Sequence, residues 1–312
     1  MKPKAIHKLL VTGSTGLVGS RFLQLSKEIF EITTIGRENV DLILNLLSEK
    51  EVGEIISSSD ADAVINFAAF TNVDGAEKEK GNKQSIVFIL NSNLPLWIAK
   101  ACQKSDKLFF HISTDYVFNG VQESRPYTEE DRPQPVNSWY AQTKFFGEEN
   151  ILNIDSNKNH CAIIRISYPY SGVYERKLDI ARTVVEKIKN GDDYFGIYDQ
   201  KIKPTSVDDI SMALTFLINK KATGIYHIAG NFNPKDYITP YEFAQNIAEI
   251  LDLGKGMIRP ISFIERSKKR IAPRPQHTWL STKKIESLGF KITNMKASLA
   301  RFKNQLQYTN KE

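Results

Sequence analysis

Within SWYAQTK, residues 138–144, a tyrosine stands four positions before a lysine. On a helix, Tyr140 and Lys144 share one face, a turn apart. Such a pair can handle a proton. A phenol of ordinary pKa near 10 gives up its proton reluctantly at neutral pH, and a neighbouring ammonium favours the phenolate. The spacing decides nothing by itself, because 12 tyrosines and 30 lysines in 312 residues make one such pair expected from composition. Its meaning has to come from the elements that position it.

Leu9 to Thr12 reads as a short buried strand, GSTG as a turn, and Leu17 to Phe30 as a helix. The alternation continues with strands at Glu31 to Ile35, Ala63 to Ala69, Leu108 to Ser113, Cys161 to Ser167 and Ile225 to Ala229. Helices are expected at Ser48 to Ser57, Gln84 to Lys104, Val136 to Leu152, Ile180 to Lys189 and Val207 to Asn219. This pattern predicts an α/β fold, a doubly wound parallel sheet of about six or seven strands covered on both faces. SWYAQTK falls on the helix that follows a proline- and charge-rich loop at Glu123 to Pro135. After Gly230 the pattern loosens into a helix from Pro240 to Leu251, a basic stretch to Pro275 and a short helix from Thr282 to Leu288. YPYSGVY, at 168–174, fits neither strand nor helix. The expected division is a dinucleotide-binding domain (1–167 and 204–229) and a smaller, C-terminal substrate-binding domain (168–203 and 230–312).

TGSTGLVG places Gly13, Gly16 and Gly19 between the first strand and the first helix. Glycine permits positive φ and close approach of backbone to a pyrophosphate, while a helix amino terminus offers free N–H groups and partial positive charge. In this strand-turn-helix setting the triplet reads as a dinucleotide site. The second strand ends in Ile35, Gly36 and Arg37, with arginine where an acidic residue would bind a ribose 2′-hydroxyl. Arginine suits a 2′-phosphate, so NADP(H) is preferred over NAD(H).

Composition narrows the partners. With 41% hydrophobic and 25% charged residues the chain is average for a globular protein. Its longest purely apolar run, Ile86 to Leu90, is far short of the roughly 20 residues that span a bilayer. The amino-terminal apolar stretch breaks after Val11 into the glycine turn, unlike a secretory signal, so a cytoplasmic location is expected. Cys102 and Cys161 are isolated, and no metal site or disulfide is expected. The net charge of +6 suits an anionic partner, but most basic residues are interleaved with acidic ones outside Arg259 to Arg274. A phosphorylated small molecule fits that distribution better than a nucleic acid.

With the glycine turn, NFAAFTNVDGAE at 66–77, STDYVF at 113–118 and YAQTK at 140–144, the chain resembles the extended short-chain dehydrogenase/reductase family. Within it, DQKIKPT at 199–205 and RPQHTWL at 274–280 are similar to segments of the dTDP-4-dehydrorhamnose reductase branch. The resemblance implies a Rossmann sheet and NADPH-dependent reduction of a 4-keto nucleotide sugar. It implies that Thr114 holds the substrate carbonyl, that Tyr140 is the acid, and that Lys144 is its partner and binds the nicotinamide ribose. It also places Gly16, Leu17 and Val18 at the cofactor phosphates, with Gly13, Thr15 and Gly19 among the cofactor-binding residues. Asn45 and Leu46 go to its adenine, and Ala68, Ala69 and Phe70 to its ribose and nicotinamide. On the sugar side it places Thr71, Val73, Asp115, Tyr116, Tyr168 and Arg274. A homodimer is compatible with this reading.

The sequence departs from that branch in the substrate half. Tyr168, Pro169 and Tyr170 stand where Trp-Val-Tyr is usual, His277 and Thr278 where Asn and Ser are, and Asn45 where Asp is. Asp115 is followed by Tyr116 rather than the glutamate of the related dehydratases, which counts against elimination but not against epimerisation. A non-catalytic NADP-binding regulator, like the methionine adenosyltransferase regulatory subunit, is the alternative of a different kind.

Overall fold

After a leading lysine, β1 (Lys8–Thr12) is apolar or β-branched throughout, and Leu9 to Thr12 are all buried. A strand with no wet face belongs at the centre of a sheet with helices on both sides. The computed structural model, which describes residues 6–174 and 176–309, places it there. In chain order follow α1 (Leu17–Ser26), β2 (Glu31–Gly36), β3 (Leu42–Ile43), α2 (Glu49–Ser58), β4 (Ala63–Asn66) and the short α3 (Val73–Glu77). Then α4 (Ile86–Phe88) runs through a π turn (Ile89–Asn93) into α5 (Leu94–Lys104), followed by β5 (Leu108–Thr114), α6 (Trp139–Ile154) and β6 (Cys161–Ile166). The chain leaves the sheet for β7 (Pro169–Tyr170), α7 (Ile180–Lys189), β8 (Tyr194–Ile197) and β9 (Thr205–Ser206), and returns through α8 (Val207–Asn219) to β10 (Gly224–Ile228). It closes with α9 (Pro240–Ile250), β11 (Ile258–Ile261), α10 (Phe263–Ser267), α11 (Lys283–Ser287) and α12 (Met295–Thr309).

The sheet has seven strands in the order β10-β6-β5-β4-β1-β2-β3, every neighbouring pair parallel. The order reverses between β1 and β4, the point at which open α/β sheets bind ligands beyond their carboxyl ends. One apolar core joins the strands to α1 and α8 through Phe22, Leu214 and Leu217, and a second joins them to α2, α5 and α6 through Ile56, Ile98 and Ile151. Tyr170, Val184, Phe243, Ile247 and Phe302 form a cluster of their own from β7, α7, α9 and α12. Ile285 and Ile292 join the first core, so the stretch around α11 packs with the sheet.

Several elements differ from the sequence reading. The strand expected to reach Ala69 stops at Asn66, because Asn66 turns its amide oxygen back to the Ala68 N–H at 3.1 Å and ends the ladder. In the YPYSGVY run, expected to be irregular, Pro169 and Tyr170 pair in parallel with Thr205 and Ser206. β8 and β11 pair with each other, and α12 forms where no element was expected.

Candidate active site

The carboxyl ends of the central strands open on a cavity of about 910 Å³. Its walls contain every residue named above for catalysis, cofactor or sugar, from Gly13 through Arg274.

The turn after β1 is shaped by contact. Gly13 has φ +66, and a Cβ there would lie 2.4 Å from the Ala68 nitrogen; one on Gly19 would lie 2.3 Å from the Gly13 oxygen. No other residue fits either place without moving backbone. Gly16 caps α1 with no side-chain acceptor, and no acidic residue stands in the first helical turn. The helix therefore presents its amides and positive dipole end to whatever enters. The Ser14 hydroxyl beside them is buried without a hydrogen-bond partner. An unsatisfied buried hydroxyl and an open amide cradle fit an anionic group such as a pyrophosphate.

Arg37 and Glu38 follow β2 and are exposed on the cavity rim, while Ala68, Ala69 and Phe70 form the wall beyond β4. The Asn45 side-chain oxygen accepts from the Leu47 N–H at 3.1 Å, which braces the loop carrying Leu46. Phe70 is clamped: its N–H donates to Asn91 Oδ1 at 2.9 Å, and Asn91 Nδ2 donates to the Phe70 carbonyl and the Thr143 hydroxyl, each at 3.1 Å.

Thr114 ends β5, and its hydroxyl accepts from the Tyr116 N–H at 3.2 Å and donates to Asp115 Oδ1 at 3.1 Å. It caps the 3-10 turn Asp115–Val117 and faces the cavity. Ser138 caps α6 by accepting from the Ala141 N–H, which sets the phase of the helix that carries Tyr140 and Lys144. Burial pushes the Tyr140 phenol above its ordinary value, opposed by a hydrogen bond with Thr114. Burial pushes Lys144 down to about 8, opposed by the carboxylate of Glu148. Lys144 Nζ meets the Ile112 carbonyl at 2.8 Å and His111 Nε2 at 3.2 Å. The pair shares a helix face, but its lysine leans on β5.

The side of the cavity formed by Asp115, Tyr116, Tyr168 and Arg274 is aromatic and braced. The Tyr116 ring stands edge-on to Tyr140 at 5.8 Å and to Tyr168 at 6.3 Å. Tyr168, at φ +40, accepts through its hydroxyl from Gln200 Nε2 at 3.2 Å. Asp115 is 2% exposed, and burial raises its carboxyl to about 6 against the pull of neighbouring hydroxyls, including Ser167 at 3.0 Å. Arg274 pairs with Asp74 at 3.0 Å and donates to the Ala272 carbonyl at 2.8 Å. Lys177 reaches the Thr71 hydroxyl at 3.5 Å. Asn66, Asn91, His111, Lys177 and Gln200 escaped the sequence reading, although a polar residue in an otherwise apolar segment, as at Asn91 and His111, is the mark that could have found two of them. Among the described residues no cluster of three or more His, Cys, Asp or Glu could hold a metal ion, and no helix is long and apolar enough to cross a membrane.

Residues 7–308 match the family model described as the RmlD substrate binding domain. The chain belongs to that family, a branch of the extended short-chain dehydrogenase/reductases, which are NAD(P)-dependent oxidoreductases. It is 29% identical over 305 residues to a dTDP-4-dehydrorhamnose reductase of Sinorhizobium fredii, across 94% of this chain and 96% of that protein. It is 28% identical over 295 residues to methionine adenosyltransferase 2 subunit beta of Rattus norvegicus, across 91% of this chain and 83% of that one. Among solved structures, a dTDP-4-dehydrorhamnose reductase of Clostridium acetobutylicum superposes with a TM-score of 0.83 at 25% identity, across 96% of this chain and 99% of the other. The doubly wound Rossmann sheet expected from the sequence is the fold of this family.

Proposed function

We propose that the chain is an NADPH-dependent reductase of a 4-keto nucleotide sugar, acting as a dTDP-4-dehydrorhamnose reductase does. The observation that carries this reading is that Thr114, Tyr140 and the glycine turn line one cavity of about 910 Å³. The turn from Gly13 to Gly19 holds the pyrophosphate, and Arg37 meets the 2′-phosphate that distinguishes NADP(H) from NAD(H). Asn45 and Leu46 lie at the adenine, and Ala68, Ala69 and Phe70 at the ribose and nicotinamide. Bound there, the cofactor supplies a hydride to the ketone carbon.

The residues of the chain manage the oxygen. Thr114 holds it, and Tyr140 gives it a proton as alkoxide charge develops. Burial suits that order of events: a phenol held above its ordinary value keeps its proton beside a neutral ketone and yields it to an alkoxide, a far stronger base. Lys144 then returns the proton to Tyr140. Thr71, Val73, Asp115, Tyr116, Tyr168 and Arg274 face the sugar nucleotide, and Arg274 exchanges Asp74 for its diphosphate. For the proposed division into a dinucleotide unit (1–167, 204–229) and a substrate unit (168–203, 230–312), the separate cluster around Tyr170 and Phe243 speaks in favour, while Ile285 and Ile292 of the second unit pack into the core of the first.

The test is NADPH consumption with a panel of nucleotide 4-keto sugars, comparing the native chain with Tyr140→Phe. Loss of a general acid is expected to slow turnover by about 10²- to 10⁴-fold with NADPH binding retained. Equal activity in the two chains would refute the proton-donor role. The likeness to methionine adenosyltransferase 2 subunit beta supports a second reading, a non-catalytic regulator. Tight NADPH binding with no turnover of any sugar selects it.

A further inference from the structure

Behind the cavity wall runs a buried chain of amide, imidazole and amine groups whose donors and acceptors constrain one another. The Ala68 N–H points at Asn66 Oδ1 at 3.1 Å, and the Thr12 hydroxyl donates to the same oxygen at 2.5 Å. With its oxygen so engaged, Asn66 turns Nδ2 to His111 Nδ1 at 3.1 Å. A ring nitrogen that accepts an N–H carries no proton of its own, so the neutral imidazole of His111 carries its proton on Nε2. That N–H faces Lys144 Nζ at 3.2 Å, and Nζ in turn donates to the Ile112 carbonyl at 2.8 Å. An ammonium has three donors and no acceptor, whereas an amine has a lone pair to offer.

We infer that His111 is a positioning residue for Lys144, receiving the lysine as its amine on the β5 side of α6 and releasing it toward Tyr140 when it is charged. Both side chains are sealed from solvent, His111 at 0% and Lys144 at 2% exposed, so no water competes for these bonds. Burial acts in the same direction on both groups, lowering Lys144 and holding His111 well below the ordinary imidazole value. Of the charged groups packed around the pair, Glu148 on α6 favours the ammonium, but its carboxylate is engaged by Arg165 of β6. Asp115, in the 3-10 turn after β5, acts on Tyr140. The mechanistic consequence rests on the reductase reading. After Tyr140 has protonated the substrate oxygen, Lys144 gives a proton to the phenolate and becomes the amine that His111 receives. Once product has left, water entering the cavity that Lys144 lines restores the ammonium.

The test is NMR on the whole chain, without dinucleotide or sugar, carrying nitrogen-15 in the histidine rings and carbon-13 at the lysine ε positions. His111 is expected as the Nε2–H tautomer across neutral pH, with one lysine, missing from the Lys144→Met spectrum, titrating near 8. In His111→Gln the amide oxygen can turn to Nζ and accept, so the Lys144 midpoint is expected to rise by about one pH unit, the worth of one net hydrogen bond. Asn66→Asp keeps the acceptor for Ala68 and Thr12 but sets an acceptor against Nδ1. It is expected to move the ring proton to Nδ1 and raise the same midpoint, and it serves if His111→Gln fails to fold. A native His111 protonated on Nδ1, or a Lys144 midpoint unmoved by the variants, overturns the inference. Neither result needs the sugar, so failure to reduce any 4-keto substrate counts against the proposed function and not against this assignment.

Discussion

Arg165 of β6 and Glu148 of α6 form an ion pair in which the side chains are 0% and 1% exposed. Arg165 Nε lies 3.1 and 3.2 Å from the two carboxylate oxygens, and Nη2 lies 2.7 Å from one of them. The guanidinium also sits 5.0 Å from the centroid of the Phe118 ring. Replacing Arg165 by Met strands the carboxylate with the Ser113 hydroxyl as its remaining hydrogen-bond donor. Removing one member of a buried pair costs about 3–5 kcal/mol, and the lost cation–π contact on the order of 1 kcal/mol more. Against a total stability of about 5–15 kcal/mol, that brings the sheet close to unfolding. Removing both charges in Glu148→Leu/Arg165→Met leaves two apolar side chains of similar volume, and the part of the loss due to the stranded carboxylate is expected to return. The lost cation–π contact and the Ser113 and His227 groups left without their partners keep the double variant about 1–3 kcal/mol below native. Urea unfolding followed by the fluorescence of Trp97, Trp139 and Trp279 measures all three chains. If the double variant is as unstable as Arg165→Met, the loss comes from packing and the argument from stranded charge is wrong.

Three further outcomes are expected. Gly13→Ala puts a methyl 2.4 Å from the Ala68 nitrogen at a residue with φ +66. The left-handed backbone alone costs about 1–2 kcal/mol, and NADPH affinity by fluorescence titration is expected to fall about tenfold or more; an unchanged affinity removes the glycine turn from the cofactor site. Arg37→Ala is expected to weaken NADPH by about 1.5–3 kcal/mol and leave NADH nearly unaffected; equal losses for both exclude a 2′-phosphate contact. Asp115 has a folded value of about 6 against an ordinary 3.8, so the native chain binds that proton more tightly than the unfolded one. Stability therefore falls as pH rises through that window, by on the order of 2–3 kcal/mol. Asp115→Asn lacks this component, and its urea midpoints at pH 4.5 and pH 7.5 should lie closer together than those of the native chain; the same separation in both sinks the assignment.

The alternation of apolar strands with helices was plain in the sequence because both periods are local, whereas the grouping of a glycine turn, Thr114 and the Tyr140–Lys144 pair came from the resemblance of their motifs to a known family, not from spacing; in the fold these residues line one cavity. What stayed hidden depends on partners far along the chain. β7 and β9 are two residues each and exist because Pro169 and Tyr170 meet Thr205 and Ser206. Arg274 read as an available guanidinium, yet Asp74, two hundred positions earlier, holds it at 3.0 Å. Spacing put Lys144 beside Tyr140, but only the folded strand reveals that the Ile112 carbonyl and His111 claim its Nζ.

The π turn at Ile89–Asn93 holds one residue more per turn than an α-helix, so α4 and α5 are out of phase with each other across it. That offset lets one continuous stretch serve two surfaces. Ile98 and Ala99 lie in the core under the sheet, while Asn91 turns toward Phe70 and Thr143. The Asn91 carbonyl comes so near α6 that a methyl on Gly147 would lie 2.2 Å from it. The helix bearing Tyr140 and Lys144 thus takes its seat from a surplus residue. Deleting one residue between Ile89 and Asn93 would restore a regular helix at the cost of turning either Asn91 away from the cavity wall or Ile98 out of the core.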